Sequence, residues 1–511
     1  MRKIFKFITS RIFFVLVAFL FQIGLYIGMF ALFRDYFVYF YAFEIFIRLV
    51  AIIYIVNDTT EPAYKIAWLI LIMFMPYLGS FFYLFLAGGQ STKFFKRKFS
   101  FIANRTSQII KKDELSSTTF AEINEKYPLF KPLCSYINRF GGFPVYKNEQ
   151  TVFFPTGEDY FEDLKKELKK ARKFIFMEYF IIEKGKMWGE ILEILKEKAK
   201  EGVEIKIVYD DFGCINRLPV KYPAYLKNFG IEARVFNPVR HIINVIYNNR
   251  DHRKITVIDG KTAFTGGINL ADEYINAVSR FGHWKDYGVK FTGAAVWNFS
   301  AAFLSMWEFC SRKDKDIDYK KYKVHHKRPK TDSGYVIPFV DSPFDSEVVA
   351  ENVYNDIINK AVNYVYITTP YLILDNRTAF SLVSAAKRGV DIRIMTPHIP
   401  DKKTVFQVTR SNYEELIKSG VRIYEYTPGF IHAKSIIADD EIGVVGSINL
   451  DYRSLYLHCE NGLLMFKVPQ IEDIKRDIFN IMSVSEEITD PKKILPVKIV
   501  RGVLNVFAPL M

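Results

Sequence analysis

The stretch of sequence that decides the fold runs from His252-Arg-Lys-Ile-Thr-Val-Ile-Asp259 to Gly266-Gly-Ile-Asn-Leu270. It occurs a second time, as His432-Ala-Lys-Ser-Ile-Ile-Ala-Asp439 followed by Gly446-Ser-Ile-Asn-Leu450. The copies lie 180 positions apart and keep the same internal spacing of His, Lys, Asp, Gly and Asn. The chain has only 8 histidines, so the match is far from a chance arrangement. The doubled stretch therefore predicts two equivalent halves.

The segments before each copy repeat as well. In the first half an apolar strand pattern, Lys173–Ile182, is followed by a helical stretch and a second strand pattern, Glu201–Asp210. In the second half Asn363–Leu372 and Arg388–Pro397 have the same arrangement. A strand, a helix, a glycine turn and another strand are typical of an α/β unit whose sheet is buried. We therefore expect two α/β domains that pack face to face, with a basic linker between them at Lys313–Gly334.

Length and composition exclude several classes of protein. A chain of 511 residues is too long for one core, and a mean hydropathy of +0.04 with 50% apolar residues excludes a disordered or collagen-like chain. The 4 cysteines are far apart and form no CxxC pair, which argues against a disulfide scaffold and against a zinc site built from cysteines.

The basic excess is concentrated at the N-terminus. The net charge is +14, of which residues 1–112 contribute +10 and the remaining 399 residues +4. Because the basic region is also the most apolar one, the pattern favours a membrane surface over a nucleic-acid groove. Nucleic acid is therefore not expected as a partner.

Three long apolar stretches open the chain: Ile12–Phe33, Tyr36–Val56 and Ile66–Ala87. A run of 22 residues makes a helix of about 33 Å, enough to cross a hydrocarbon core of about 30 Å. Residues 1–92 are thus predicted to be a membrane anchor with two or three transmembrane helices, followed by a basic linker over 93–125. Glu44 and Arg48 are four residues apart on one helical face, where they can pair. Both flanks are basic, so the number of spans and the topology stay open.

The spacing of the doubled motif suits a phosphodiester substrate. Residues two apart in a strand face the same way, so His252 projects with Lys254, and His432 with Lys434. One histidine can attack phosphorus while the other protonates the leaving alcohol, with lysine and asparagine side chains on the anionic oxygens. A metal site is the rival interpretation, but lysine is a poor ligand and the motif has no carboxylate cluster. Asp259 and Asp439 have the opposite strand parity, so an orienting role is as consistent as a chemical one.

These motifs resemble the phospholipase D superfamily. Three further segments are similar to the bacterial cardiolipin synthases: Tyr209–Gly213, His283–Asp286 and Asn449–Ser454. The apolar stretches around Ala67-Trp68 and Pro76-Tyr-Leu-Gly79 are also similar to those of the bacterial cardiolipin synthases. Two positions depart from the family pattern, since Cys214 stands where serine is expected and His458 where asparagine is common.

The resemblance implies two repeated phospholipase D-like α/β/α sandwich domains, over residues 126–320 and 335–511. It implies transfer of a phosphatidyl group between two phosphatidylglycerol molecules, giving cardiolipin and glycerol through a phosphohistidine, without a cofactor or a metal. Phosphatidylglycerol and other phospholipids are the expected partners. The protein itself is expected to be a multi-pass protein of the bacterial inner membrane with its catalytic domains in the cytoplasm. The expected catalytic residues are His252, Lys254, Asp259, His432, Lys434 and Asp439, and the expected substrate-binding residues are Asn269, Asn449, Gly267 and Ser447.

Several alternatives stay open at this point. The same motifs fit a membrane-bound phospholipase D that releases phosphatidic acid, and less well a membrane-tethered nuclease or a scaffold. The repeat does not say which histidine is the nucleophile, and nothing in the chain gives its oligomeric state. Glu178 and Glu460 are candidates for positioning the histidines or for structural pairing, and His283, Trp284 and Asp286 for lining the pocket.

Overall fold

The computed structural model describes residues 11–58, 62–83, 90–238, 249–311, 317–330, 332–345 and 347–490. The chain divides into two compact units. The smaller unit is built on residues 1–94, and the larger one contains residues 95–242 and 246–501. The helix Gln90–Ile110 begins before this boundary and is described with the larger unit, to which most of it belongs.

The described part of the smaller unit is helical. Its helices are α1 (Arg11–Leu32), α2 (Phe37–Asn57), α3 (Pro62–Phe74) and α4 (Pro76–Phe82). Among the described residues, one helical segment, Arg34–Asn57, is long and apolar enough to cross a membrane. Within it Glu44 and Arg48 form the predicted ion pair, which lets a buried carboxylate remain in an apolar helix.

The third apolar stretch is interrupted. Met75 leaves the helical conformation, with φ −132° and ψ 70°, and Pro76 begins α4. Proline lacks an N–H and its ring clashes with the preceding turn, so it ends one helix and suits the first position of the next. As far as residue 83, the stretch is therefore two short helices rather than one continuous span; residues 84–87 lie outside the described residues.

The larger unit contains two sheets that repeat each other. The first has the strand order β2-β10-β8-β7-β3-β4-β5 and the second β11-β18-β17-β16-β12-β13-β14, extended by β1 and β19 at its ends and by β6 beside β18. Strand for strand the two orders are the same, which confirms the predicted repeat. The strands of the first sheet are β2 (Gln150–Phe154), β3 (Phe174–Tyr179), β4 (Glu204–Asp210), β5 (Ile231–Phe236), β7 (Lys254–Ile258), β8 (Thr262–Gly266) and β10 (Gly288–Thr292).

The strands of the second sheet are β1 (Tyr146–Lys147), β6 (Arg250–Asp251), β11 (Tyr335–Asp341), β12 (Tyr364–Thr368), β13 (Asp391–Pro397), β14 (Arg422–Tyr426), β16 (Ser435–Ala438), β17 (Ile442–Gly446), β18 (His458–Phe466) and β19 (Ser485–Glu487). A third, two-stranded sheet joins β9 (His283–Lys285) to β15 (Gly429–Ile431) in parallel.

Helices cover both faces of the first sheet. Alternation along β3 puts Ile175 and Met177 in one apolar cluster with the helices after β2 and β3, and Phe176 in another, where its ring stacks on Phe303 at 4.6 Å. Every residue of the helix that carries Phe303 is buried, so this helix is the centre of the larger unit. The sheets and their helices form the two α/β domains expected from the repeat.

The described helices of the larger unit are α5 (Gln90–Ile110), α6 (Glu114–Lys126), α7 (Lys131–Tyr136), α8 (Gly157–Lys170), α9 (Lys186–Lys200), α10 (Asp211–Cys214), α11 (Tyr222–Lys227), α12 (Val296–Phe309), α13 (Val349–Lys360), α14 (Asn376–Lys387), α15 (Lys403–Ser411), α16 (Tyr413–Lys418), α17 (Tyr452–Tyr456) and α18 (Gln470–Ser483). The segment 93–125, expected as a basic linker, is occupied by α5 and most of α6, and these helices contribute Phe99, Ile102 and Ile123 to the core.

Candidate active site

Each histidine of the doubled motif follows a short strand that pairs with the opposite half of the molecule. β6, before His252, pairs in parallel with β18, and β15, before His432, pairs in parallel with β9. The backbone N–H of His252 donates to the carbonyl oxygen of Cys459 at 2.9 Å, and that of His432 to the carbonyl oxygen of Lys285 at 2.7 Å. The two motifs are therefore held at the interface between the halves.

The two lysines are fully buried beside their histidines. Nζ of Lys254 donates to the carbonyl oxygen of His252 at 2.6 Å, and Nζ of Lys434 donates to the carbonyl oxygen of His432. Both histidines are 7% exposed, so a small part of each remains accessible. Each lysine thus lies beside its histidine, but through the histidine's backbone carbonyl and not through strand alternation, because both histidines precede their strands, which begin at Lys254 and Ser435.

A carboxylate from the opposite half holds each imidazole. Glu460 accepts from Nδ1 of His252 at 2.9 and 3.0 Å, and Asp286 accepts from Nδ1 of His432 at 2.6 Å. Both carboxylates are fully buried. With Nδ1 occupied, Nε2 is the ring atom of each histidine that remains for a substrate.

The two carboxylates occupy equivalent positions in the two sheets. Gly288 pairs with Gly266, and Gly462 pairs with Gly446, at the same point of the repeated hairpin. Asp286 and Glu460 each precede their glycine by two residues. From the sequence, Glu460 is a candidate for positioning a histidine or for structural pairing and Asp286 one for lining the pocket; their shared spacing to a glycine is the signal that marks them as equivalent.

The space around the two carboxylates differs. A Cβ atom added at Gly267 would lie 2.1 Å from Oδ1 of Asp286, so this position requires glycine. In the second half the equivalent residue is Ser447, whose hydroxyl donates to Glu460, as does the hydroxyl of Ser454. Gly267 and Ser447, predicted to bind substrate, thus contact the carboxylates that hold the histidines.

Burial and mutual repulsion among the cations shift the titration of the site. Burial, reinforced by the neighbouring ammonium groups, lowers the pKa of both His252 and His432 well below the usual value. Burial also lowers the pKa of Lys254 to about 7 and that of Lys434 to about 8. In the opposite direction, burial raises the pKa of Asp286 to about 7. An anionic ligand would offset the positive charge and stabilise the protonated forms.

Aromatic rings surround the imidazoles. Trp284 lies 5.3 Å and Tyr274 5.4 Å from the ring of His432, measured between ring centroids. At the first motif, Phe180 lies 5.0 Å and His458 5.5 Å from the ring of His252. Trp284 and His458 occupy equivalent positions, since each lies two residues before the carboxylate that holds its neighbouring histidine. Burial lowers the pKa of His458 to about 4.

The two predicted asparagines differ in their contacts. The amide of Asn269 is used within the protein: its oxygen accepts from the backbone N–H of Ile181 at 3.0 Å and its nitrogen donates to the hydroxyl of Tyr274 at 2.7 Å. Oδ1 of Asn449 is buried without a hydrogen-bond partner among the described residues. Of the two amides, that of Asn449 is the one with unused hydrogen-bonding capacity.

Asp259 and Asp439 do not join the histidines. Each lies at the far end of its strand, and its carboxylate accepts from three consecutive backbone N–H groups at 2.7–2.9 Å, those of 172–174 in the first half and 362–364 in the second. Five residues of extended chain separate Asp259 from Lys254, or about 16 Å. The structure therefore supports a role in positioning the neighbouring strand and not in the chemistry expected for these two residues.

Two other residues considered from the sequence lie away from the histidines. Glu178 is fully buried beside Arg253, with 3.5 Å between Oε1 and the guanidinium NH1. His283 accepts at Nδ1 from the hydroxyl of Tyr426 at 2.9 Å, or donates to it. Neither has a contact with a motif histidine among the described hydrogen bonds.

The repeated sheets, and the two His-x-Lys segments that meet at their interface, define a phospholipase D-like protein. A family model described as "Cardiolipin synthase, PLD-like domain" matches residues 164–279 and 354–482, one match in each half. A second model, "Phospholipase_D-nuclease N-terminal", matches residues 46–88. The crystal structure of phosphatidylserine synthase from Haemophilus influenzae superimposes with a TM-score of 0.54 at 17% identity, over 72% of this chain and 94% of that one. This structural likeness shows the shared fold.

Two relatives match nearly the whole chain. A protein named "Cardiolipin synthase" from Clostridium perfringens is 33% identical over 89% of this chain and 95% of its own length. A protein from Streptococcus mutans, whose name describes no activity, is 44% identical over 90% of this chain and 99% of its own. The chain belongs to the cardiolipin synthase family of phospholipase D-like proteins.

Proposed function

We propose that the protein transfers a phosphatidyl group from one phosphatidylglycerol to another, giving cardiolipin and glycerol through a phosphohistidine intermediate. The observation that carries this proposal is the crossed pair of histidines, each held at Nδ1 by a carboxylate of the other half. Two imidazoles with Nε2 available at one interface are what a two-step displacement at phosphorus requires. The activity named for the Clostridium perfringens relative supports it.

In the first step, Nε2 of one histidine forms a bond to phosphorus and the bond from phosphorus to the glycerol oxygen breaks. The second histidine gives its Nε2 proton to that oxygen, so glycerol leaves as a neutral alcohol. In the second step, a hydroxyl of another phosphatidylglycerol attacks the phosphohistidine. Its proton passes to the second histidine, the nitrogen–phosphorus bond breaks, and cardiolipin is formed with both histidines restored.

Lys254 and Lys434 contribute positive charge where negative charge develops on the phosphoryl oxygens. Both are fully buried, so their interaction with the substrate is weakly screened. We propose that Oδ1 of Asn449, which has no hydrogen-bond partner among the described residues, contacts a polar group of the substrate. Asn269 instead positions Tyr274 beside His432. Ser447 then acts through Glu460, and Gly267 acts by leaving room for Asp286.

We propose that the apolar N-terminal region, residues 1–92, anchors the enzyme in the inner membrane of a bacterium through two or three transmembrane helices. The helical segment Arg34–Asn57 supports one of these spans. Basic residues on the N-terminal flank and after residue 92 favour a cytoplasmic position for the catalytic domains, 126–320 and 335–511. This arrangement keeps the active site near its lipid substrates.

The experiment that tests the function uses purified full-length protein in phosphatidylglycerol vesicles, without nucleotide, with lipid products identified by mass spectrometry. Cardiolipin and glycerol in equal amounts are the expected products. Phosphatidic acid with glycerol would mean that water, not an alcohol, reaches the phosphohistidine, and the enzyme would then be a phospholipase D hydrolase. A His432→Ala variant is the matched control, since neither product should form in it.

A further inference from the structure

We infer that His252, His458 and Glu460 form a binding site for one transition-metal cation of the zinc type, and that the bound ion inhibits the enzyme. Among the described residues these three make up a group whose ligand atoms all lie within 4.8 Å of one another. Two imidazole nitrogens and one carboxylate oxygen are a donor set that Zn²⁺ uses in proteins, with a water as fourth ligand. The inhibition depends on the proposed function; the binding does not.

Two of the three distances between the ligand atoms are within about half an ångström of those in a tetrahedral site. Nδ1 of His252 lies 2.9 Å and Nδ1 of His458 3.8 Å from the same oxygen of Glu460. Donor atoms about 2.0–2.1 Å from a tetrahedral ion lie about 3.3 Å from one another. The first distance must lengthen and the second shorten by about half an ångström, which side-chain rotations provide, and the third, between the two imidazole nitrogens, is within 4.8 Å.

A second observation points to a ligand at the same place. Nδ1 of His458 is buried, and among the described residues it faces Glu460 at 3.8 Å, too far for a hydrogen bond. A buried nitrogen without a partner is costly, and a metal ion would satisfy it. The hydroxyls of Ser447 and Ser454 donate to Glu460 and would orient the carboxylate as a ligand, the usual arrangement around metal sites.

Binding would remove the contact that the reaction needs. The cation would replace the proton between Nδ1 of His252 and Glu460, and it would withdraw electron density from the imidazole that must attack or protonate. The equivalent position of the second half holds Trp284, which offers no ligand lone pair, so the site exists at only one of the two histidines. The proposal therefore depends on His458, a residue to which we assign no part in turnover.

The test uses the full-length enzyme in detergent, freed of metal with a chelator and titrated with Co²⁺, whose visible absorption is intense in tetrahedral sites. We expect one Co²⁺ per chain, displaced by Zn²⁺, without the near-ultraviolet band of a cysteine ligand. His458→Asn should weaken binding more than about tenfold, the loss that even an indirect change near a metal causes. The matched control His325→Asn, in the exposed linker, should bind as the parent does.

Turnover supplies an independent measurement. With chelator present, His458→Asn should make cardiolipin within about twofold of the parent rate, since His458 contacts His252 only by ring packing, at 5.5 Å between centroids. Added Zn²⁺ should inhibit the parent and His325→Asn but not His458→Asn. A featureless Co²⁺ titration, or equal Zn²⁺ sensitivity in His458→Asn, would overturn the site. If no variant makes cardiolipin, the proposed function fails, and Co²⁺ binding still decides the metal site.

Discussion

The surroundings of the two motif histidines differ although the backbone around them repeats. His252 contacts a glutamate that two serine hydroxyls support, and another imidazole packs against its ring. His432 contacts an aspartate that fits against a glycine, and tryptophan and tyrosine rings flank it. Phe180 also packs against His252, so the contrast lies in the hydroxyls around the carboxylate and in His458, which stands where the other site has Trp284. The comparison shows that the repeat preserves the imidazoles, their bond to a carboxylate and the buried lysine beside each, while the residues that surround the carboxylate have diverged.

If both histidines are needed, removing either one should have the largest effect of all. His252→Ala and His432→Ala should each lower kcat about 10³-fold or more, because a nucleophile or its proton partner is lost. Cardiolipin formation in vesicles measures this, and thermal unfolding shows whether each variant folds. His325→Ala, in the exposed linker, should have the parent rate. Near-parent activity in either of these two variants would contradict the requirement for both histidines, since one would then suffice.

The next effect comes from the carboxylates. Asp286→Asn and Glu460→Gln should each lower kcat about 10²–10⁴-fold, because the amide does not stabilise the imidazolium that forms during proton transfer. Their stabilities should differ: Glu460 accepts from His252 and two hydroxyls, so Glu460→Gln leaves more donors poorly satisfied. Thermal unfolding in detergent separates the two. Equal losses of stability would show that the serine contacts carry little energy.

An exchange at the glycine–serine position sharpens the comparison. Gly267→Ser should displace Asp286, since the new Cβ would lie 2.1 Å from its Oδ1, and lower kcat about 10–100-fold through misplacement of His432. The reverse change, Ser447→Gly, removes one hydrogen bond to Glu460 and should cost two- to tenfold, the equivalent of about 0.5–1.5 kcal/mol. Steady-state rates of the two variants measure the ratio. A larger loss in Ser447→Gly would contradict the packing argument.

The lysines predict a pH dependence. Burial lowers the pKa of Lys254 to about 7 and that of Lys434 to about 8, so each ammonium loses its proton as the pH rises through that value. The rate should therefore fall on the alkaline side, between about pH 7 and 8. Lys254→Arg should lose activity about 10–100-fold because the broad guanidinium fits a compact site poorly. The residual rate of Lys254→Arg should fall less as the pH rises above about 7, because arginine keeps its proton. If the rate of this variant falls as steeply as that of the parent, another group causes the decrease.

Much of the fold was predictable from the sequence, because a repeat in register demands two equivalent sheets. That His252 and Lys254 lie together followed from their spacing, although His252 precedes the strand that begins at Lys254. The crossed carboxylates did not, since Asp286 serves the histidine of the other half, 146 residues further along the chain. Only the interface between the halves creates that contact. The different fates of Asn269 and Asn449 were hidden for the same reason: they depend on whether a neighbour from a distant strand uses the amide.

Substitution of Asp259 or Asp439 should have the smallest effect on activity. These variants test which residues of the motif take part in the reaction. Each aspartate has φ +54° and accepts three backbone N–H groups, so asparagine, which tolerates positive φ, is the matched substitution. Asp259→Asn and Asp439→Asn should lower the free energy of unfolding by about 1–3 kcal/mol each, because one acceptor oxygen is replaced by a donor. Below the unfolding temperature, kcat should stay within about twofold of the parent, since these carboxylates lie about 16 Å along the strand from the lysines. If kcat falls as much as in the histidine variants while stability is unchanged, both aspartates take part in the reaction and the structural role is wrong.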